Sequence, residues 1–221
     1  VTKVHLEAMR FARMGYSIIL IGHKDHDEVI GTIGEAPGQT WLVSSEREVG
    51  ELHLPDPERV AYLTQTTLSL DEAEGIIAAL KAKYPKIVGP PAQDICYATE
   101  NRQVAVKAVA PECELLLVVG SENSSNSNRL VEVARNAGMP SFLIDDERDI
   151  EPAWLERVRR VGVTAGASAP ERLVEQVLDF LKLQGFDQLE EVETVAEDVR
   201  FALPPELISL SPRPAGAAAR L

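Results

Sequence analysis

The chain has 221 residues, enough for one or two substantial hydrophobic cores, and its formal net charge of −13 argues against a nucleic-acid or anionic-membrane partner, which would need a basic face. No apolar run is long enough to span a bilayer, and no signal-peptide pattern opens the chain. Two cysteines, Cys96 and Cys113, are too few for a disulfide framework and fit a reducing, cytoplasmic setting.

Residues Thr2 to Met14 read as a helix ending at Gly15, and with a helix already under way at the first residues the chain is expected to be a fragment. Ser17 to Ile21, bounded by Gly15 and Gly22, has the short apolar run of a buried parallel strand; Trp41 to Val43 and Val60 to Leu63 are the next two. Ile76, Ile77, Leu80 and Tyr84 then recur at helical spacing between Leu70 and Tyr84, with Ser69 and Glu72 as a predicted capping box. Lys86 to Ala92, with two prolines and a glycine, is the natural link to a second unit. That unit is predicted to hold a helix from about Glu100 to Val109, a strand over Leu115 to Val119 and a helix beginning near Arg129. Its last helix carries Leu173, Val177, Phe180 and Leu181 on one face, with Ser168 and Glu171 as a second capping box and Pro170 near the first turn. The expected division is 1–90, 91–185, an acidic extension with short strands over 186–208, and a disordered tail over 209–221.

The chain also repeats itself. Trp41 to Val49 (WLVSSEREV) returns as Phe142 to Ile150 (FLIDDERDI), a shift of 101 residues. Ile18 to Gly22 is echoed by Leu116 to Gly120, and Ala61 to Thr67 by Val161 to Ala167. The fold class is therefore α/β: two repeated three-layer units with parallel sheets and right-handed crossovers. Each apolar run stops at a polar loop: GHKDH, TQTT, GSENSSNSN and TAGAS. In open α/β sheets such loops lie beyond the carboxyl ends of the strands, where ligands bind.

These loops carry the candidate chemistry, and each has a plainer reading beside it. The tract Ser121 to Asn128 is either a solvated linker or, placed between a strand and a helix, a surround for an anion. With only Lys24 among the four loops, a bound anion would be held by backbone N–H groups, hydroxyls, amides and histidine. Ser168 reads as a helix cap, a place compatible with anion binding. Thr64, Thr66 and Thr67 hold the matching position in the first unit, where hydroxyls also serve ordinary turn chemistry. His26 and Glu28 form either a surface pair in a loop or, facing an anion site, a proton-delivering pair, with His23 as a competitor. Cys96 is either a small buried hydrophobe or, at a helix start, a stabilised thiolate suited to a metal or to nucleophilic attack. Cys113 reads as structural, and His5 and His53 as without a role.

Taken together, Val1 to His5 (VTKVH), Ile21-Gly22-His23 with His26 and Glu28, Leu63 to Ser69 (LTQTTLS), Lys86 to Pro90 (KIVGP), Asp94 to Thr99 (DICYAT), Val118 to Arg129 (VVGSENSSNSNR) and Val161 to Pro170 (VGVTAGASAP) closely resemble the LytB/IspH family of hydroxymethylbutenyl diphosphate reductases. The resemblance covers all but about the last dozen residues. It implies three α/β domains around a pseudo-threefold centre, of which this chain resembles the second and third. It implies a four-iron, four-sulfur (4Fe-4S) cluster held by one cysteine per domain; Cys96 matches the last, and the other two have no counterpart here. It further implies that Glu28, His26 and Thr66 serve catalysis and that His26, Thr66, Ser124, Ser125, Asn126 and Ser168 bind the allylic diphosphate substrate. A ferredoxin or flavodoxin as electron donor follows from the same resemblance. A non-catalytic diphosphate-binding module is the alternative reading. A flavodoxin-like nucleotide binder ranks lower, for want of a GxGxxG fingerprint.

Overall fold

The computed structural model describes residues 1–195. It consists of two three-stranded parallel sheets, β2–β1–β3 and β5–β4–β6, built from β1 (Ser17–Ile21), β2 (Thr40–Val43), β3 (Val60–Thr64), β4 (Leu115–Val119), β5 (Ser141–Ile144) and β6 (Val161–Ala165). The helices are α1 (Thr2–Arg13), α2 (Asp27–Glu35), α3 (Glu46–Glu51), α4 (Leu70–Lys83), α5 (Tyr97–Val109), α6 (Ser125–Asn136), α7 (Pro152–Leu155) and α8 (Glu171–Leu183). None of them is long and apolar enough to cross a membrane.

The central strands β1 and β4 are buried along their whole length because each is covered on both faces. Ile18 and Leu20 pack on Val4, Ala8 and Phe11 of α1 and Val29 of α2, while Ile19 and Ile21 pack on Val49 of α3 and Ala73, Ile76 and Leu80 of α4. In the second unit Leu116 and Val118 meet Val106 of α5 and Leu130 and Ala134 of α6, and Leu115, Leu117 and Val119 meet Val177 and Leu181 of α8. This is the expected three-layer arrangement, made twice.

The repeat extends to individual hydrogen bonds. Gly22 N–H donates to the Val43 carbonyl at 3.1 Å and Gly120 N–H to the Ile144 carbonyl at 2.9 Å. Beyond the second strand, Ser44 N–H donates to Glu48 at 2.7 Å and Asp145 N–H to Asp149 at 2.8 Å. The third echo needs a one-residue correction. Ser17 of β1 pairs with Val60, and Leu115 of β4 pairs with Val161, so Val60 and not Ala61 corresponds to Val161. A slip of one residue exchanges the faces of a strand, so the ladder decides the matter. Thr66 then corresponds to Ala167, and Thr67 to Ser168.

Helix α1 stops where expected, at Gly15 with φ of 76°, in a left-handed cap that lets Tyr16 N–H reach the Phe11 carbonyl at 3.1 Å. Other helix starts differ from their expected places. Helix α5 begins at Tyr97 and not near Glu100, and α6 begins at Ser125 and not near Arg129. The end of the polar tract is thus a first helical turn, started by the Ser124 hydroxyl, which accepts from Ser127 N–H at 3.2 Å. His26 and Glu28 likewise stand at the start of α2, not in a loop. Neither expected capping box forms. Ser69 makes no side-chain cap bond; Gln103 Oε1 takes the Leu70 N–H at 3.0 Å, and the Glu72 side chain turns to Arg129. Ser168 lies two residues ahead of Pro170, the true N-cap position of α8, and does not cap it. The linking segment is also docked: Val88 bridges to Ala61, extending the first sheet by one residue pair. Residues 186–195 form no strand; the rest of the extension and the tail over 209–221 lie outside the described residues.

Candidate functional site

Strand orders β2–β1–β3 and β5–β4–β6 place a crevice beyond the carboxyl ends of β1 and β3, and of β4 and β6, where the chain departs in opposite directions. The Gly22 to His26 and Gln65 to Thr67 segments meet there in the first unit. Gly120 to Ser124 and Gly166 to Ser168 do so in the second. Gly22 is required by this crowding: a Cβ there would meet Val29 Cγ2 at 2.7 Å and Gln65 Oε1 at 3.1 Å.

Glu28 is 7% exposed and held from one residue. Its Oε1 accepts Thr66 N–H at 3.0 Å and its Oε2 accepts the Thr66 hydroxyl at 2.9 Å. A carboxyl group against a hydroxyl can pass a proton, because Oγ1 accepts one proton as it releases another. His26 is the N-cap of α2, and its Nδ1 accepts Glu28 N–H at 3.2 Å, which leaves the proton of the neutral ring on Nε2.

Asn126 holds in the second unit the place of Glu28 in the first. Both are the second residue of the helix that follows the central strand. Asn126 Oδ1 accepts Ala167 N–H at 2.8 Å, and Ala167 corresponds to Thr66. One bond has therefore been kept twice, with an acid in one unit and an amide in the other. Ser168, the neighbour of Ala167, is exposed and joins the group only through that bond.

The units meet through hydroxyl and amide groups. Thr67 Oγ1 and Ser125 Oγ lie 2.8 Å apart, and buried Gln65 donates to Thr67 at 2.9 Å while accepting His23 N–H at 3.0 Å. Cys96 is half-buried at the N-cap of α5, without a side-chain cap bond, and its N–H donates to the Thr66 carbonyl at 3.0 Å. Behind it Asp94 accepts Thr64 N–H at 3.0 Å and pairs with Lys3 at 2.7 Å. Glu28, Thr66 and Cys96 are thus joined in one chain of contacts, with His26 at one end. Ser125 enters through Thr67, and Ser124 directly precedes it.

Cys96 suits one thiolate ligand of a metal centre. Among the described residues no group of three or more His, Cys, Asp or Glu side chains gathers to hold a metal ion. Cys113 packs beside Leu116 and Val118, and burial raises its thiol pKa, in keeping with a structural role. His23 is set apart from His26: burial, then the Arg129 guanidinium, lower its pKa, against the opposing pull of Glu72 and Glu132.

Sequence reading did not single out Gln65, Arg129 or the Lys3–Asp94 pair, and it noted Thr67 without selecting it. A glutamine directly after an apolar strand was the one local signal available for Gln65.

A sequence model of the LytB protein matches residues 1–182. The 4-hydroxy-3-methylbut-2-enyl diphosphate reductase of Rhodococcus jostii is 55% identical over 208 residues, covering 94% of this chain and 62% of that protein. The reductase of the same name from Streptomyces coelicolor is 53% identical, with the same coverage of 94% and 62%. The chain therefore spans less than two thirds of the length of these curated relatives. Its structure resembles that of the E-1-hydroxy-2-methyl-but-2-enyl-4-diphosphate reductase of Plasmodium falciparum, with a TM-score of 0.89 and 36% identity over 95% of this chain and 66% of the other. The polar loops, the doubled parallel sheet and these matches agree, and the chain belongs to the LytB family.

Proposed function

We propose that the complete protein is a cytoplasmic iron–sulfur oxidoreductase of isoprene biosynthesis, acting in the methylerythritol phosphate pathway. It reductively dehydroxylates 4-hydroxy-3-methylbut-2-enyl diphosphate to isopentenyl and dimethylallyl diphosphate, with these two units as the second and third of three around the site. The relatives' names support the reaction, and the bidentate hold of Thr66 on Glu28 is the observation that carries it to these residues.

The N-terminal N–H groups of α6, with Ser124, Ser125, Asn126 and Ser168, bind the diphosphate, where the positive end of the helix favours an anion. His26 presents Nε2–H to the same anion. Thr66 positions the allylic hydroxyl, and Glu28 supplies protons through the Thr66 hydroxyl, one to the departing oxygen and another to the allylic carbon. When bound, with Cys96 as one of its ligands, a four-iron, four-sulfur cluster supplies electrons, received from a ferredoxin or flavodoxin, and a Lewis-acidic iron.

Glu28→Gln in the complete, cluster-loaded protein keeps the shape of the bond to Thr66 and removes the transferable proton. Turnover is expected to fall by about 10²-fold with KM nearly unchanged, since the loss belongs to the chemical step. Equal kcat in the two forms would take Glu28 off the proton path.

A further inference from the structure

Arg129 stands one helical turn beyond Ser125, and its side chain is only 11% exposed. The guanidinium donates to Nε2 of His23 in the first unit, donates to Glu132 on its own helix and pairs with Glu72 of α4 at 3.1 Å. Because a guanidinium only donates, His23 Nε2 must be the bare nitrogen and its proton sits on Nδ1. His23 in turn belongs to the segment that carries His26 and Glu28. Its backbone N–H is fixed to Gln65 at 3.0 Å, and its carbonyl accepts His26 N–H at 3.3 Å.

We propose that Arg129 is a positioning residue that sets the distance between the acid of the first unit and the anion-binding helix start of the second, acting through His23. This rests on the function proposed above and adds a residue to it. Helix α6 touches the first unit at two successive turns, by Ser125 on Thr67 and by Arg129 on His23 and Glu72. The two contacts fix both its separation and its rotation. Its Nη1 and Nη2 are turned to Glu132, Glu72 and His23, and its Nε is buried without a partner, so Arg129 acts on the diphosphate site through these neighbours and not as a ligand of the anion. The groups facing His23 agree with a neutral ring: burial, Arg129 and His26 disfavour its proton, against the opposing pull of Glu72 and Glu132. A depression of about 440 Å³ lined by Ser69, Glu72, Arg129 and Glu132 borders Arg129, a route for a free guanidinium ion to the place that its removal vacates.

The test uses the complete protein, with inorganic pyrophosphate as the binding probe and nitrogen NMR of His23 beside kinetics. In Arg129→Ala the KM for the allylic diphosphate and the Kd for pyrophosphate are expected to rise about tenfold or more. His23 should leave the Nδ1–H tautomer, and added guanidinium ion should restore both affinity and tautomer. Glu72→Gln, a milder change should Arg129→Ala fail to fold, is expected to move all readouts in the same direction by a smaller amount. Unchanged affinity, or lost affinity with His23 still in the Nδ1–H form, would overturn the proposal; the latter would make Arg129 a direct anion ligand. Wild-type protein that binds pyrophosphate but reduces no allylic diphosphate would instead overturn the proposed function, leaving the pyrophosphate and NMR readouts to decide the role of Arg129.

Discussion

Glu28 and Asn126 occupy one position in a repeated frame, and in the proposed function the difference between them divides the work of the site. Each accepts a backbone N–H from the segment after the third strand, at 3.0 Å for Glu28 and 2.8 Å for Asn126. A carboxyl group there can carry a proton, whereas an amide presents fixed donors and no charge to repel an anion. Asn126→Ala in the complete protein is therefore expected to weaken pyrophosphate binding by about 1–3 kcal/mol, the range for a hydrogen bond to a charged group. Titration calorimetry measures it, and unchanged affinity would remove Asn126 from the anion site. His26, Glu28 and Thr66 stood out in the sequence because each closely follows an apolar strand, whereas Ser124 was picked from its polar tract only through the family resemblance. Arg129 did not stand out, since its partner His23 lies 106 residues away and nothing local distinguishes it from a surface arginine on an amphipathic helix.

At the level of elements, the strands were legible because burial on both faces demands unbroken apolar runs, as Leu115 to Val119 has. Helix starts were less so. Ser69 and Ser168 both head a capping sequence, yet Glu72 is drawn across to Arg129, and the N-cap position of α8 falls on Pro170, two residues beyond Ser168. Polar residues in the first turn of α6 read as loop for a related reason: serine and asparagine are poor helix formers, but here they line the crevice between units. Tight packing of that turn is open to a test. A Cβ on Gly120 would collide with Ser127, so Gly120→Ala is expected to destabilise the fold by about 1–3 kcal/mol. Gly34, inside α2 with open space around it, gives the opposite expectation: Gly34→Ala should stabilise by about 0.5–1 kcal/mol. Urea unfolding of both variants reads the pair, and equal shifts of one sign would contradict this account of the packing.

Across the molecule, the repeat was visible in sequence, but the meeting of its halves was not. Two parallel sheets could stand side by side in many orientations. The one adopted is fixed by contacts such as Thr67 with Ser125 at 2.8 Å and Arg129 with Glu72 at 3.1 Å, which no periodicity encodes. That orientation brings the acid-bearing end of α2 and the start of α6 to a common crevice, with Cys96 joined to it through Thr66. The most direct measurement is a crystal structure of the complete protein with 4-hydroxy-3-methylbut-2-enyl diphosphate bound. The diphosphate is expected at the N-terminus of α6, touching Ser124, Ser125, Asn126 and Ser168, with the allylic hydroxyl within hydrogen-bond reach of the Glu28–Thr66 pair. A diphosphate bound away from α6, or a hydroxyl group remote from Glu28 and Thr66, would contradict a single site shared by the two units.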